Sequence, residues 1–168
     1  LEQISPIYLR ASQQKLKGRK GYQMMNKPTF QIMQIEDTND VYLLEKEIFN
    51  IDDKDKIIKS INNENLFYYV LKLSDRVIGF LEGLIISPDA EIYNIAIDKN
   101  YRGKGYSKLL INGFIDKCKS SGCETIFLEV NNINQVAINL YNLFDFKSYS
   151  VRKNYYGEND AILMRKDL

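Results

Sequence analysis

One stretch narrows the possible folds more than any other: "AEIYNIAIDKNYRGKGYSKLLINGFIDKCKSSGCETIFLEV", residues 90–130. An alternating run over 90–98 reads as a strand, and a second apolar run over 124–130 reads as another. Between them the spacing predicts a helix from about Ser107 to Ser121, with Leu110, Phe114, Ile115 and Cys118 on its buried side and Gly122 as its terminator. Gly113 inside that helix costs about 1 kcal/mol relative to alanine, which implies close packing against a sheet. A strand, a crossover helix and a second strand make those two strands parallel.

Everything around this unit reads as antiparallel. "TFQIMQI" (29–35) is a first strand, and Thr38 or Asn39 caps a helix that runs to Phe49 with Val41, Leu44 and Ile48 on one face. "KDKIIKSI" is a short second helix. The runs 65–74, 76–87 and 90–98 are strands joined by turns at Ser74-Asp75 and Pro88-Asp89, so they form a meander. Asn134 opens a last helix to about Phe144, and "FKSYSVRK" and "DAILMRK" form a closing pair. The order β-α-α-β-β-β-α-β-α-β-β predicts an α/β (α+β) domain with a mixed, mostly antiparallel sheet and helices on both faces. It occupies residues 29–168. The stretch before it, 1–28, is basic at one end and lacks a clear period. It opens on Leu1, offers Met24 and Met25 as natural starts, and reads as an appendage from a fragment or a processed end.

Composition removes whole classes of function. A length of 168 residues suits one domain with a sizeable core. A net charge of +1 argues against a broad footprint for nucleic acid or anionic membrane. No apolar run approaches the roughly 20 residues of a membrane span, and no secretory signal is visible, so the expected compartment is the cytoplasm. Cys118 and Cys123 match no zinc spacing and read as reduced thiols. With no histidine in the chain, an imidazole metal site is excluded and no metal is expected. Acid–base chemistry must then come from carboxylates, tyrosine, lysine or water.

The turn between strand and crossover helix, "YRGKGYSK", concentrates what chemistry remains. Free N–H groups at a helix start carry fractional positive charge, Gly103 and Gly105 let a ligand reach the main chain, and Arg102, Lys104 and Lys108 add full charges. Such a loop can cradle a pyrophosphate. It lacks the Walker spacing and the third glycine of G-x-G-x-x-G. A turn with a solvated basic face is the alternative.

"IYNIAIDKNYRGKGYSKLLINGFID" resembles the acetyl-CoA-binding core of the GCN5-related N-acetyltransferases, whose loop R/Q-x-x-G-x-G/A falls on Arg102, Gly105 and Ser107. Serine at the last position departs from that pattern. "LEVNNINQVAINLYNLFDF" and "VRKNYYGENDAILM" are similar to the ribosomal-protein-alanine N-acetyltransferases, the RimI group. Two further departures are the absence of Pro-Trp after Phe49 and Asp145 in place of a helix-ending glycine. The resemblance implies a sheet whose central parallel strands splay apart, with the pantetheine arm of acetyl-CoA lying between them. Ile95, Ala96 and Ile97 would then supply main-chain hydrogen bonds, one of them to the thioester oxygen. Arg102, Gly103, Lys104, Gly105, Tyr106, Ser107 and Lys108 would hold the diphosphate, and Asn134, itself a helix cap, would also touch the coenzyme.

The same resemblance assigns Glu129 as the base and Tyr141 as the acid that protonates the leaving thiolate. Alone, a glutamate at a strand end reads as a solvated charge, and one of twelve tyrosines reads as packing. Tyr155 and Tyr156 either wall a peptide cleft or cover the core. The implied acceptor is a peptide N-terminus, the N-terminal alanine of a small-subunit ribosomal protein. Acetylation of a polyamine or lysine, and a CoA-binding module without turnover, are the rivals. The front stretch "ISPIYLRASQQKL" is similar to the C-terminal tail of the TsaB proteins of bacterial tRNA threonylcarbamoyladenosine synthesis, which implies a TsaB-like or other tRNA-modification partner.

Overall fold

The computed structural model describes residues 27–168. Eleven main elements follow one another: β1 (Thr29–Ile32), α1 (Thr38–Phe49), α2 (Lys54–Ser60), β2 (Leu66–Leu73), β3 (Arg76–Ile86), β4 (Asp89–Ile97), α3 (Tyr106–Ser120), β5 (Thr125–Asn131), α4 (Gln135–Leu143), β6 (Lys147–Tyr156) and β7 (Asn159–Asp167). The strands form one sheet in the order β1-β2-β3-β4-β5-β7-β6. Only the β4–β5 pair, the one joined by the crossover helix, is parallel among the described strands. The expected appendage, with its TsaB-like stretch, lies outside the described residues apart from positions 27 and 28.

The two-residue period of the strands feeds two separate cores. Tyr69 and Leu71 of β2 join Ile78, Leu81, Ile92, Leu128 and the buried side of α3 on one face. Tyr68 and Val70 join Val77, Phe80 and Ala96 beneath α1 and α2 on the other. The four predicted positions of α3 are all buried, and fully burying a side chain such as Phe114 contributes about 1.5–3 kcal/mol. A Cβ on Gly113 would lie 2.5 Å from the Phe30 ring, which accounts for the glycine in mid-helix. Gly122 ends α3 with φ 78°, and Asp145 stands in the left-handed region after α4 with φ 62°. Cys118 and Cys123 are free and buried.

The start of α1 differs from expectation. β1 stops at Ile32, and a 3-10 turn over Ile35–Asp37 takes the place of its last residues. The cause is Asp37: its carboxylate accepts from Gln34 N at 2.9 Å and pairs with Lys72 Nζ at 2.6 Å, so the chain turns early. Asp37, not Thr38 or Asn39, is the residue before the helix. Ile48 is only half-buried, and Glu45 takes a fully buried place beside Val41 and Leu44. Tyr68 donates to Glu45 at 2.8 Å, and burial raises that carboxyl above its ordinary pKa.

At Gly79 the sheet leaves no room for a side chain. A Cβ there would sit 2.7 Å from the Ala96 carbonyl oxygen and 2.5 Å from Ile97 Cδ1. A backbone oxygen held in a ladder cannot yield, so Gly79→Ala should cost about 1–3 kcal/mol, checked by denaturant unfolding. An unchanged midpoint would show that β3 and β4 are less tightly apposed than described.

Candidate active site

The parallel pair is short. It runs from Asp89 opposite Thr125 to Ile92 opposite Leu128 and then stops. Beyond that point β4 stays with β3, from Asn94 opposite Glu82 to Ile97 opposite Gly79. β5 stays with β7, from Glu129 opposite Leu163 to Asn131 opposite Ala161. The fork opens at a bulge: Gly83 faces Ile92 and Glu82 faces Asn94, which leaves Tyr93 as an extra residue in β4. An extra residue bends its strand and increases its twist. Glu82, 1% exposed, accepts from Asn94 Nδ2 at 2.7 Å and pairs with Lys56 Nζ of α2 at 2.7 Å. The bulge is thereby tied to the helix above it.

The register also decides which backbone groups face the gap. Asp98 N donates to Ile78 O at 2.9 Å, so the pairs Ile78–Asp98 and Phe80–Ala96 are the hydrogen-bonded ones of this ladder. The N–H and C=O groups of Ile95 and Ile97 therefore turn away from β3, toward the side β5 has left. Those of Ala96 do not: its backbone bonds to β3 and its side chain enters the second core. Of the three residues expected to offer main-chain bonds, only Ile95 and Ile97 can do so. The Ile97 carbonyl accepts from Arg102 Nε at 3.0 Å.

A cleft of about 420 Å³ lies along this open edge. Of the residues the sequence put forward, Ile95, Ala96, Ile97, Arg102, Gly103, Gly105, Tyr106, Ser107 and Asn134 line it. Gly103 and Gly105 have φ of 76° and 77°, and a Cβ on either would meet no atom within 4 Å. That space is what a ligand pressed against the main chain needs, and it adjoins the first N–H groups of α3. Lys104 and Lys108 are exposed and stand outside the lining; Lys104 Nζ lies over the Tyr101 ring at 5.4 Å. Asn134 Oδ1 caps α4 by accepting from Ala137 N at 3.1 Å. Sequence reading missed Ile48, Tyr101, Val136, Ala137 and Leu140, which complete the walls. The three-residue step from Asn134 to Ala137 to Leu140 was the available signal, since it places them on one face of α4.

Neither residue proposed for proton transfer lines that cleft: Glu129 follows the fork on β5, and Tyr141 is buried on α4 in the first core. Glu129 pairs with Arg152 Nη1 at 2.9 Å, and the Arg152 guanidinium lies 4.8 Å from the centre of the Tyr155 ring. Tyr155 and Tyr156 meet edge-on at 5.0 Å and are both about half exposed, so neither covers the core. Burial, then the Glu129 charge, raises the Tyr156 phenol. Tyr141 is 6% exposed and packs edge-on against Phe146 at 5.7 Å. Burial, with a smaller contribution from Tyr156, pushes its phenol well above the ordinary tyrosine range, so it holds its proton at neutral pH. Among the described residues no group of Cys, Asp and Glu could hold a metal ion, and no helix is long and apolar enough to cross a membrane.

A model of the acetyltransferase (GNAT) family matches residues 30–146. The chain belongs to that family. The match takes in β1 through α4, and hence both strands of the fork and the glycine loop between them. A curated relative from Salmonella typhimurium, [ribosomal protein bS18]-alanine N-acetyltransferase, is 34% identical over 108 residues, covering 61% of this chain and 73% of that protein. The crystal structure of the ribosomal-protein-S18-alanine N-acetyltransferase from Escherichia coli superposes with a TM-score of 0.75 at 26% identity, covering 83% of this chain and 93% of that one. Arabidopsis thaliana NAA60 in complex with acetyl-CoA shares the GNAT fold, with a TM-score of 0.77 at 18% identity over 84% of this chain and all of that one. These relatives give no support to a TsaB-like partner.

Proposed function

We propose that this GNAT-family chain moves acetyl from acetyl-CoA to the α-amine at a protein N-terminus, with the N-terminal alanine of a small-subunit ribosomal protein as acceptor. Such an acceptor puts the reaction in the cytoplasm. The observation that carries the reading is the open main-chain edge of β4, running from the fork to the glycine loop. Bound acetyl-CoA supplies the acyl group as a thioester. Ile95 and Ile97 offer backbone groups along the gap, of which an N–H can polarise the thioester oxygen. Gly103, Gly105, Tyr106 and Ser107 present amides to the diphosphate, with Arg102, Lys104 and Lys108 around them. The names of the Salmonella and E. coli relatives support the choice of acceptor.

An acceptor amine must lose a proton before it attacks. An α-amine has a reference pKa of about 7.7–8.0, against about 10.4 for lysine, so a carboxylate base suffices for the first and is poorly matched to the second. Glu129 takes that proton, directly or through water. Tyr141, whose phenol carries its proton at neutral pH, gives one to the departing thiolate. Tyr141→Phe should therefore bind acetyl-CoA as the parent does and turn over at least about tenfold more slowly. Free-thiol release checks this, and unchanged turnover would remove Tyr141 from the mechanism.

The deciding experiment offers a panel of N-terminal peptides, alanine first and then other residues, and locates the added acetyl by mass. Acetyl on the α-amine of the alanine peptide is the expected outcome. Acetyl only on lysine or a polyamine, or tight binding of acetyl-CoA with no transfer at all, would overturn the reading.

A further inference from the structure

We propose that Glu91 holds the acceptor's ammonium group at the fork, next to the base that deprotonates it. The inference rests on the reading of this site as an amine acetyltransferase and adds a substrate-binding residue to it. Glu91 lies on β4 opposite Phe127, two residues before Glu129 on β5. In a strand, residues two apart share a face, so Glu91, Phe127 and Glu129 all project on one side of the sheet. Ile92 and Leu128 project on the other, into the core beneath α3. The side carrying the two carboxylates is the one that α1 and α2 cover further along, where Glu82 meets both Asn94 and Lys56.

The two carboxylates differ in their partners. Glu129 is committed to Arg152, and Arg152 is seated on Tyr155. Glu91 is half-buried, and among the described residues neither a hydrogen bond nor an ion pair is formed by its side chain. With Arg152 paired to Glu129, Glu91 has no cation in contact with it among the described residues. A carboxylate partly withdrawn from water beside a second one destabilises a fold unless a cation meets it. Burial and the Glu129 charge both raise its pKa, while Arg152 lowers it, which places all three groups within electrostatic reach. A packing role does not account for an unpaired acid there. A cationic substrate does: an ammonium arriving at the fork finds Glu129 occupied by Arg152 and Glu91 free. Bound to Glu91, its nitrogen stands beside the base, which takes one N–H proton and leaves the lone pair for attack.

Steady-state kinetics of Glu91→Gln with an alanine-first peptide test this, at low and at physiological salt. The KM for peptide should rise about tenfold, more than kcat falls, as expected for losing one charge-assisted contact, with the KM for acetyl-CoA unchanged. The salt dependence of the peptide KM should flatten, because salt screens a charge that is no longer there. Glu91→Asp should recover part of the loss. Peptide binding to the CoA complex, followed by calorimetry, reads the same contact without turnover. A folded Glu91→Gln chain with the parent's peptide affinity and salt dependence overturns the proposal. A parent chain that binds peptide and acetylates no amine overturns the functional reading instead.

Discussion

Glu129→Gln is expected to lower kcat by at least about 100-fold while acetyl-CoA still binds, the loss that removal of a general base produces. The substitution is nearly isosteric. Glutamine keeps an oxygen that can accept from Arg152, which now pairs with Glu129 at 2.9 Å, so the β5–β6 contact should survive. What disappears is the capacity to take a proton from the acceptor. Rapid free-thiol assays with saturating peptide measure kcat, and calorimetry with CoA measures binding in the same preparation. If turnover falls only a few-fold, the base lies elsewhere and Glu91 is the first candidate. Thermal unfolding near that of the parent would show that the loss is chemical.

Gly105→Val should abolish useful acetyl-CoA binding, with affinity down at least about 100-fold, or about 2.7 kcal/mol. Two effects combine. Gly105 holds φ 77° at the start of α3, a conformation that costs a side-chain-bearing residue about 1–2 kcal/mol. For a domain of this size that amounts to a few degrees of Tm. The larger effect concerns the ligand, because the Cβ projects into space that no protein atom within 4 Å now fills. Gly105→Ala separates the two, since it imposes the strain and adds only a methyl group. The alanine form should lose Tm much as the valine form does, with a smaller loss of affinity. Parent-like CoA affinity in the valine form would mean that no ligand approaches the main chain at this loop.

Local chemistry made much of the fold legible. The crossover from β4 through α3 to β5 could be read because a strand period, a glycine turn and a helical period follow each other without a break, and chirality dictates the rest. Asn134 as a cap, Gly122 as a terminator and Asp145 in a left-handed turn depend only on neighbours in sequence. The early turn at Asp37 was only half legible: its contact with Gln34 is local, but Lys72, which holds the same carboxylate, lies on another strand. Glu45 was not legible: a helix period marks it polar and exposed, yet Tyr68 across the second core gives it a buried hydrogen bond.

The site divides in the same way. Of positions 95–97, 102–108 and 134, put forward from the family resemblance, all but Lys104 and Lys108 line the cleft. The walls formed by Ile48 and Val136 could not be named from sequence, since an apolar residue on a helix looks the same whether it faces a core or a cleft. Nor could sequence separate Ile95 and Ile97 from Ala96, because the side on which a backbone hydrogen bond forms is set by the register with β3.

Sequence by itself determined the elements, their order and the parallel pair, because hydrophobic period, turn residues and crossover handedness act over a few residues at a time. Tertiary structure alone decided where that pair opens. The extra residue Tyr93 has meaning only against β3, Asn94 is held by Glu82, itself paired with Lys56 of the earlier α2, and Glu91 is unpaired because Arg152 has already gone to Glu129. Such contacts depend on three-dimensional proximity, which no periodicity along one strand encodes.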